Sequence, residues 1–137
     1  MKISIIVPVY NEEKTVAQVL KRLSNTKVEN VEYEIITIND GSTDGSKELL
    51  EKNKNHITTL IHNERNSGKG FSVREGLKVA TGEYILFQDA DLEYDPIEFK
   101  KFIKVCNDFD ADVVIGSRFN YSEYTRSHNI LNKIGNK

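Results

Sequence analysis

Apolar positions along this chain are grouped in short blocks, and the spacing within the blocks changes. Ile3 to Val9 is an apolar run rich in β-branched residues, the composition of a strand buried on both faces. Asn11 reads as the cap of a helix with Glu12 and Glu13 in its first turn. Val16, Val19, Leu20 and Leu23 then fall at i, i+3, i+4 and i+7, one stripe of that helix. Further strands are predicted over Tyr33 to Ile38, Ile57 to Ile61, Tyr84 to Phe87 and Asp112 to Ile115. Helices are predicted between them: one through Leu49 and Leu50, and one with Val73, Leu77 and Ala80 on its face and Gly82 just beyond its end. A last one opens at Asp95-Pro96-Ile97-Glu98 and buries Phe99, Phe102, Ile103 and Cys106.

This alternation predicts an α/β fold, a mostly parallel sheet with helices on both faces. Such sheets bind ligands at the carboxyl ends of their strands. Chemistry is therefore expected just after Val9, Ile38, Ile61, Phe87 and Ile115, and polar or glycine-rich clusters follow four of those five positions. Phe119 to Lys137 breaks the pattern, being polar and net positive.

The length, 137 residues, suits one domain with one sizeable core. Nineteen Lys and Arg against 21 Asp and Glu give no global attraction to nucleic acid. Cys106 is the single cysteine, so an internal disulfide is ruled out and a reducing, cytoplasmic setting is expected. The apolar start is too short for a signal peptide, and no later stretch approaches a membrane span.

Asp89-Ala90-Asp91 is the most informative cluster. Two carboxylates one residue apart can share a hard divalent cation, Mg2+ or Mn2+, which takes further ligands from substrate phosphates. A metal on a diphosphate makes it a better leaving group. An isolated Asp-x-Asp is more often a solvated acidic loop; its place after an apolar strand favours the metal. Glu93 suits either a ligand or a surface role, and Asp95 suits a helix cap.

In Asn39-Asp40-Gly41-Ser42-Thr43-Asp44-Gly45, Asp40 can accept an N–H from a uracil or guanine edge, and Thr43 or Asp44 can cap the next helix. Gly41 and Gly45 are taken singly as ordinary turn residues. Asn66-Ser67-Gly68-Lys69-Gly70 offers amides and Lys69 to an anion at a helix start, without the spacing of a Walker loop. Arg118 has the fork of donors that clamps phosphate oxygens, although on position alone a surface arginine is the commoner case; Arg126 shares that ambiguity. His56 and His62 read as surface or strand-end residues.

Together these segments resemble glycosyltransferase family 2, of the GT-A fold. The resemblance rests on Val7-Pro8-Val9-Tyr10-Asn11-Glu12-Glu13, the Asn39–Asp44 loop, the Asn66–Gly70 loop, Asp89-Ala90-Asp91-Leu92-Glu93-Tyr94-Asp95-Pro96, and Gly116-Ser117-Arg118-Phe119. The last two look most like the polyprenyl-phosphate branch, with its dolichyl-phosphate mannose and glucose synthases. The resemblance implies inverting transfer from a UDP- or GDP-sugar to a lipid phosphate, met at the surface of a membrane. It implies that Pro8, Tyr10, Glu12 and Asp40 border the nucleoside. It also implies that Asp89 and Asp91 bind metal and diphosphate, with Glu93, where relatives often carry Gln, a further candidate ligand. Arg118 and Arg126 would contact phosphates, and Asp91 and Arg118 are the residues expected to act in transfer. Residues 1–118 would then be the donor-binding core and 119–137 the incomplete start of an acceptor-binding part. A lipid phosphate is already ionised, so its attack needs alignment and cationic stabilisation and no general base.

Two other readings are open. A nucleotidyltransferase would carry a glycine- and arginine-rich loop after its first strand, where this chain has acidic, glycine-free Tyr10-Asn11-Glu12-Glu13. A module that binds a nucleotide-sugar without transferring it has the same motifs and differs only in turnover.

Overall fold

The structure, a computed structural model, describes residues 1–116. In chain order the elements are β1 (Lys2–Val9), α1 (Val16–Asn25), β2 (Glu32–Asn39), α2 (Ser46–Lys52), β3 (Thr59–His62), α3 (Lys69–Val79), β4 (Tyr84–Phe87) and α4 (Phe99–Phe109), with 3-10 turns at Lys54–His56 and Pro96–Glu98. The chain divides into two units, Met1–Phe99 and Lys100–Lys137, the second described as far as Gly116.

The four strands form one parallel sheet in the order β3-β2-β1-β4. β1 is central because its residues are apolar on both faces. Ile6 joins Ile36 and Ile38 in one core cluster, against which Ile61, Val73 and Ala80 pack. Its neighbours Ile5 and Val7 point to the other face and are also fully buried. The α1 stripe Val16, Val19, Leu20 and Leu23 is buried as the spacing predicts, and α1 lies against α2.

α3 departs from its predicted face. Leu77 is exposed, and the buried positions are Ser72 and Gly76 with Val73 and Ala80 half-buried. A β-carbon on Gly76 would stand 2.8 Å from Ile6 Cγ2 and 3.0 Å from Ile38 Cδ1. The helix is seated by small residues that allow close approach, which a count of apolar residues does not register.

Two other expectations change. Asp112 to Ile115 pair with no strand among the described residues, and Val113 and Ile115 are exposed. Apolar β-branched residues favour a pleated, half-buried surface but do not supply the neighbour that makes one. α1 begins at Val16 and not after Asn11, because Asn11 takes a left-handed conformation (φ 55°) and is used elsewhere.

At the amino ends of the strands a buried polar network ties the sheet together. Glu34, 7% exposed, accepts hydrogen bonds from Ser4 Oγ at 2.5 Å, Thr81 N at 2.8 Å and Thr81 Oγ1 at 2.8 Å. Lys2 Nζ stands 3.5 Å away. Burial alone would raise the pKa of Glu34; the Ser4 and Thr81 hydrogen bonds and the Lys2 charge outweigh it and hold the carboxyl at about 2.

Candidate functional site

The strand order turns back at β1, since β2 and β3 extend the sheet on one side and β4 on the other. That switch point leaves a crevice at the carboxyl ends of β1 and β4, where open α/β sheets take their ligands. Pro8 helps to form it. The carbonyls of Lys2 and Ile6 accept from β4-side residues Glu83 and Gln88, whereas those of Met1 and Val9 accept from the β2 side. Even-numbered residues of β1 therefore face β4. After the bond from Gln88 N to the Ile6 carbonyl (3.0 Å), the next rung would need a Pro8 N–H, which proline lacks. Pairing with β4 ends at Ile6 and Phe87, and β1 runs on past β4 paired with β2 only.

Four loops follow the carboxyl ends of the strands. The loop after β1 is stitched to the loop after β2. Asn11 Oδ1 accepts from Thr43 N (2.8 Å), and the amides of Asn11, Glu12 and Glu13 donate to Ser42 Oγ (3.1 Å), Ser46 Oγ (2.8 Å) and Asp44 Oδ2 (3.1 Å). Gly45 N returns a bond to Glu13 Oε2 (2.9 Å). The two acids expected in the first turn of a helix thus brace two loops. Asp44, not Thr43, serves the start of α2, through Ser46 N at 2.9 Å.

Asp40 binds the third loop. It is 3% exposed and accepts from Asn63 Nδ2 (2.7 Å), Ser67 N (3.1 Å) and Gly68 N (2.8 Å). Burial pushes its pKa up, but the bonds from Asn63, Ser67, Ser72 and Gly68 win, and the carboxyl stays below its usual range. Gly41 beside it has φ 66°, and a β-carbon there would lie 2.4 Å from the Arg65 carbonyl carbon. More than turn geometry is involved at Gly41, because a second backbone occupies the space.

The loop after β4 carries the two carboxylates. Gln88, 1% exposed, donates from Nε2 to the carbonyls of Asp89 (2.9 Å) and Tyr94 (3.3 Å), clamping both ends of the segment. Asp91 Oδ1 accepts from Glu93 N (3.0 Å), and Leu92 is held at φ 68°. Asp95 is the cap expected of it, accepting from Ile97 N at 3.0 Å. Asp89 Oδ1 lies 2.5 Å from Lys69 Nζ, the first residue of α3. The structure therefore joins Lys69 to Asp89 across the site.

Tyr10 is exposed beside the crevice and Pro8 is half-buried. Glu12 Oε2 accepts from Thr15 Oγ1 at 2.8 Å. Arg118 and Arg126 lie outside the described residues. Among the described residues no group of three or more acidic, His or Cys side chains is placed to hold a metal by itself, so Asp89, Asp91 and Glu93 do not form a three-ligand site. A cation can nevertheless sit on Asp89, as the Lys69 ammonium does. Carboxylate oxygens of this kind fit Mg2+ or Mn2+ when a diphosphate completes the shell.

Sequence reading missed Gln88 and Asn63, and it read His62 as a surface or strand-end residue, which as the last residue of β3 it is. His62 Nδ1 faces Asn39 Nδ2 at 3.1 Å and its Nε2 faces Glu51 Oε1 at 2.8 Å. The only advance signal was position, a polar residue directly at the end of an apolar strand.

An open parallel sheet with acidic and glycine loops at its switch point defines an α/β protein of the doubly wound class. The chain belongs to glycosyl transferase family 2, whose family model matches residues 4–133. It is 35% identical over 123 residues to the undecaprenyl-phosphate 4-deoxy-4-formamido-L-arabinose transferase of Proteus mirabilis, covering 85% of this chain and 36% of that one. S. aureus TarS 1-349, solved in complex with UDP-GlcNAc, superimposes with a TM-score of 0.72 at 31% identity, over 88% of this chain and 38% of that one. Glucosyl-3-phosphoglycerate synthase from Mycobacterium tuberculosis shares the fold, with a TM-score of 0.62 at 23% identity over 76% of this chain and 39% of that one. The chain thus spans between a third and two fifths of each of these three proteins. It is a member of that family with the GT-A fold, as its motifs imply.

Proposed function

We propose that this chain forms the donor half of an inverting, metal-dependent glycosyltransferase that moves a sugar from a UDP- or GDP-sugar to a polyprenyl phosphate. The observation that carries the reading is Asp89-Ala90-Asp91 just after β4, where the ladder to β1 ends at the strand-order switch point, with one carboxylate already on a cation. Asp89 and Asp91 would hold Mg2+ or Mn2+, which supplies neutralisation of the leaving diphosphate. Tyr10 and Pro8 border the nucleoside, Asp40 shapes that pocket through the loops it binds, and Glu12 supports it from behind. Lys69 meets the diphosphate, and Arg118 and Arg126 take donor or acceptor phosphates. The polyprenyl acceptor draws support from the Proteus mirabilis relative, and UDP from TarS. The reading places the lipid phosphate at a membrane surface, on its cytoplasmic side; no described helix is long and apolar enough to cross a membrane.

Calorimetric titration of the chain with UDP-glucose and with GDP-mannose, each with Mn2+ and with chelator, tests the donor reading. Metal-dependent heat with one of them supports it, and Asp89→Asn abolishes that heat with the fold intact. Equal donor binding by Asp89→Asn would refute the metal assignment. Release of UDP or GDP on adding a polyprenyl phosphate separates a transferase from a module that only binds.

A further inference from the structure

Lys69 stands where a cation is electrostatically misplaced. It is the first residue of α3, an eleven-residue helix with no acidic residue in its first turn. A positive charge at that end opposes the helix dipole, so helix stability does not account for it. Its backbone is fixed from behind, because the two preceding amides, Ser67 and Gly68, are bound by Asp40. From that anchor the side chain reaches across to β4 and places Nζ 2.5 Å from Asp89 Oδ1. Asp89 is 32% exposed at its side chain and Lys69 61%, so the pair is open to exchange with ligands from solution. A divalent cation and an ammonium on one carboxylate repel each other, so each weakens the other's hold on Asp89.

We propose that Lys69 is an internal counter-ion of the metal site, occupying Asp89 until a donor arrives. The inference rests on the reading of Asp89 as a metal ligand. In the donor-free chain the ammonium competes with the divalent cation for Asp89 and keeps metal binding weak. A nucleoside diphosphate brings its own anionic oxygens to the start of α3, where first-turn amides and Lys69 both attract them. Lys69 would move from the carboxylate to the diphosphate and leave Asp89, with Asp91, free to hold the metal. Metal and donor therefore bind cooperatively, each raising the affinity for the other by the same factor. The device guards against a metal held without substrate, and its specificity is for ligands carrying a diphosphate.

The test is the affinity of the whole chain for Mn2+, read from the electron paramagnetic resonance of free Mn2+, with and without UDP. Parent, Lys69→Met and Asp89→Asn are compared. Lys69→Met removes a largely exposed side chain, and thermal melting verifies its fold. Without UDP, Lys69→Met is expected to bind Mn2+ roughly three- to fivefold more tightly than the parent, the strength of a partly exposed ion pair. The tightening of Mn2+ binding by UDP falls in the same variant, and Asp89→Asn loses Mn2+ binding. If Lys69→Met binds Mn2+ no better than the parent while Asp89→Asn loses it, the counter-ion role is wrong and the metal site stands. If Asp89→Asn binds Mn2+ like the parent, both are wrong.

Discussion

The Asp40 carboxylate, at the end of β2, accepts the backbone N–H of Gly68 at 2.8 Å, across 28 residues of sequence. With its bonds to Ser67 N and Asn63 Nδ2 it fixes the loop that launches α3, and so fixes where Lys69 starts. Replacing it by Ala removes an acceptor from three donors; Gly68 N keeps Asn66 Oδ1 (2.9 Å) and Asn63 Nδ2 keeps Ser72 Oγ (3.3 Å), while Ser67 N loses the acceptor it has. Asp40→Ala is expected to lose about 2 kcal/mol of stability, the scale for hydrogen bonds to a charged group, in urea unfolding. Amide exchange should quicken at Ser67 and Gly68 first. Unchanged exchange there would mean that the loop is held by something else.

Gly41 tests the contact between the same two loops from the opposite side. Its φ of 66° strains any side chain, and a β-carbon would press on the Arg65 backbone at 2.4 Å. Gly41→Ala should cost about 2–4 kcal/mol, from left-handed strain plus overpacking, in the same unfolding experiment. A cost within a few tenths of a kcal/mol would show that the loops separate freely.

The acid limb of stability should be set largely by Glu34. Its folded pKa, about 2, lies below the ordinary 4.5, so its stabilising effect is complete above 4.5 and is lost as pH falls toward 2. The difference corresponds to about 3 kcal/mol. Asp40 and Asp44 are also held below their usual range and act in the same direction. Glu34→Gln should flatten the stability profile between those pH values while lowering stability at pH 7. A profile parallel to the parent's would place the acid sensitivity elsewhere.

Pro8 ends the β1–β4 ladder by lacking a donor, and the expected consequence is a wider crevice. Pro8→Val restores an N–H opposite the Gln88 carbonyl. It should hold or raise the melting temperature while weakening UDP binding severalfold, measured by calorimetry. Tighter or unchanged UDP binding would separate the proline from the donor site.

Much of this protein was legible in its sequence. The β-branched run at Ile3 to Val9, the stripe Val16, Val19, Leu20, Leu23 and the Asp95-Pro96 helix start all formed as read, because each depends on neighbours within one or two turns of chain. The placing of the acidic and glycine loops at strand ends followed from the parallel sheet alone. Tertiary structure decided what those loops do to each other. Asn11, Glu12 and Glu13 brace a loop about thirty residues away, Ser72 and Gly76 seat α3 by being small, and Lys69 finds Asp89. Asp112 to Ile115 carry a strand's residues without a described partner to pair with. Local propensity and periodicity are properties of a segment and can be read along the chain. A hydrogen bond between loops, a close approach of backbones or a ladder partner belongs to two segments at once and exists only after folding brings them together.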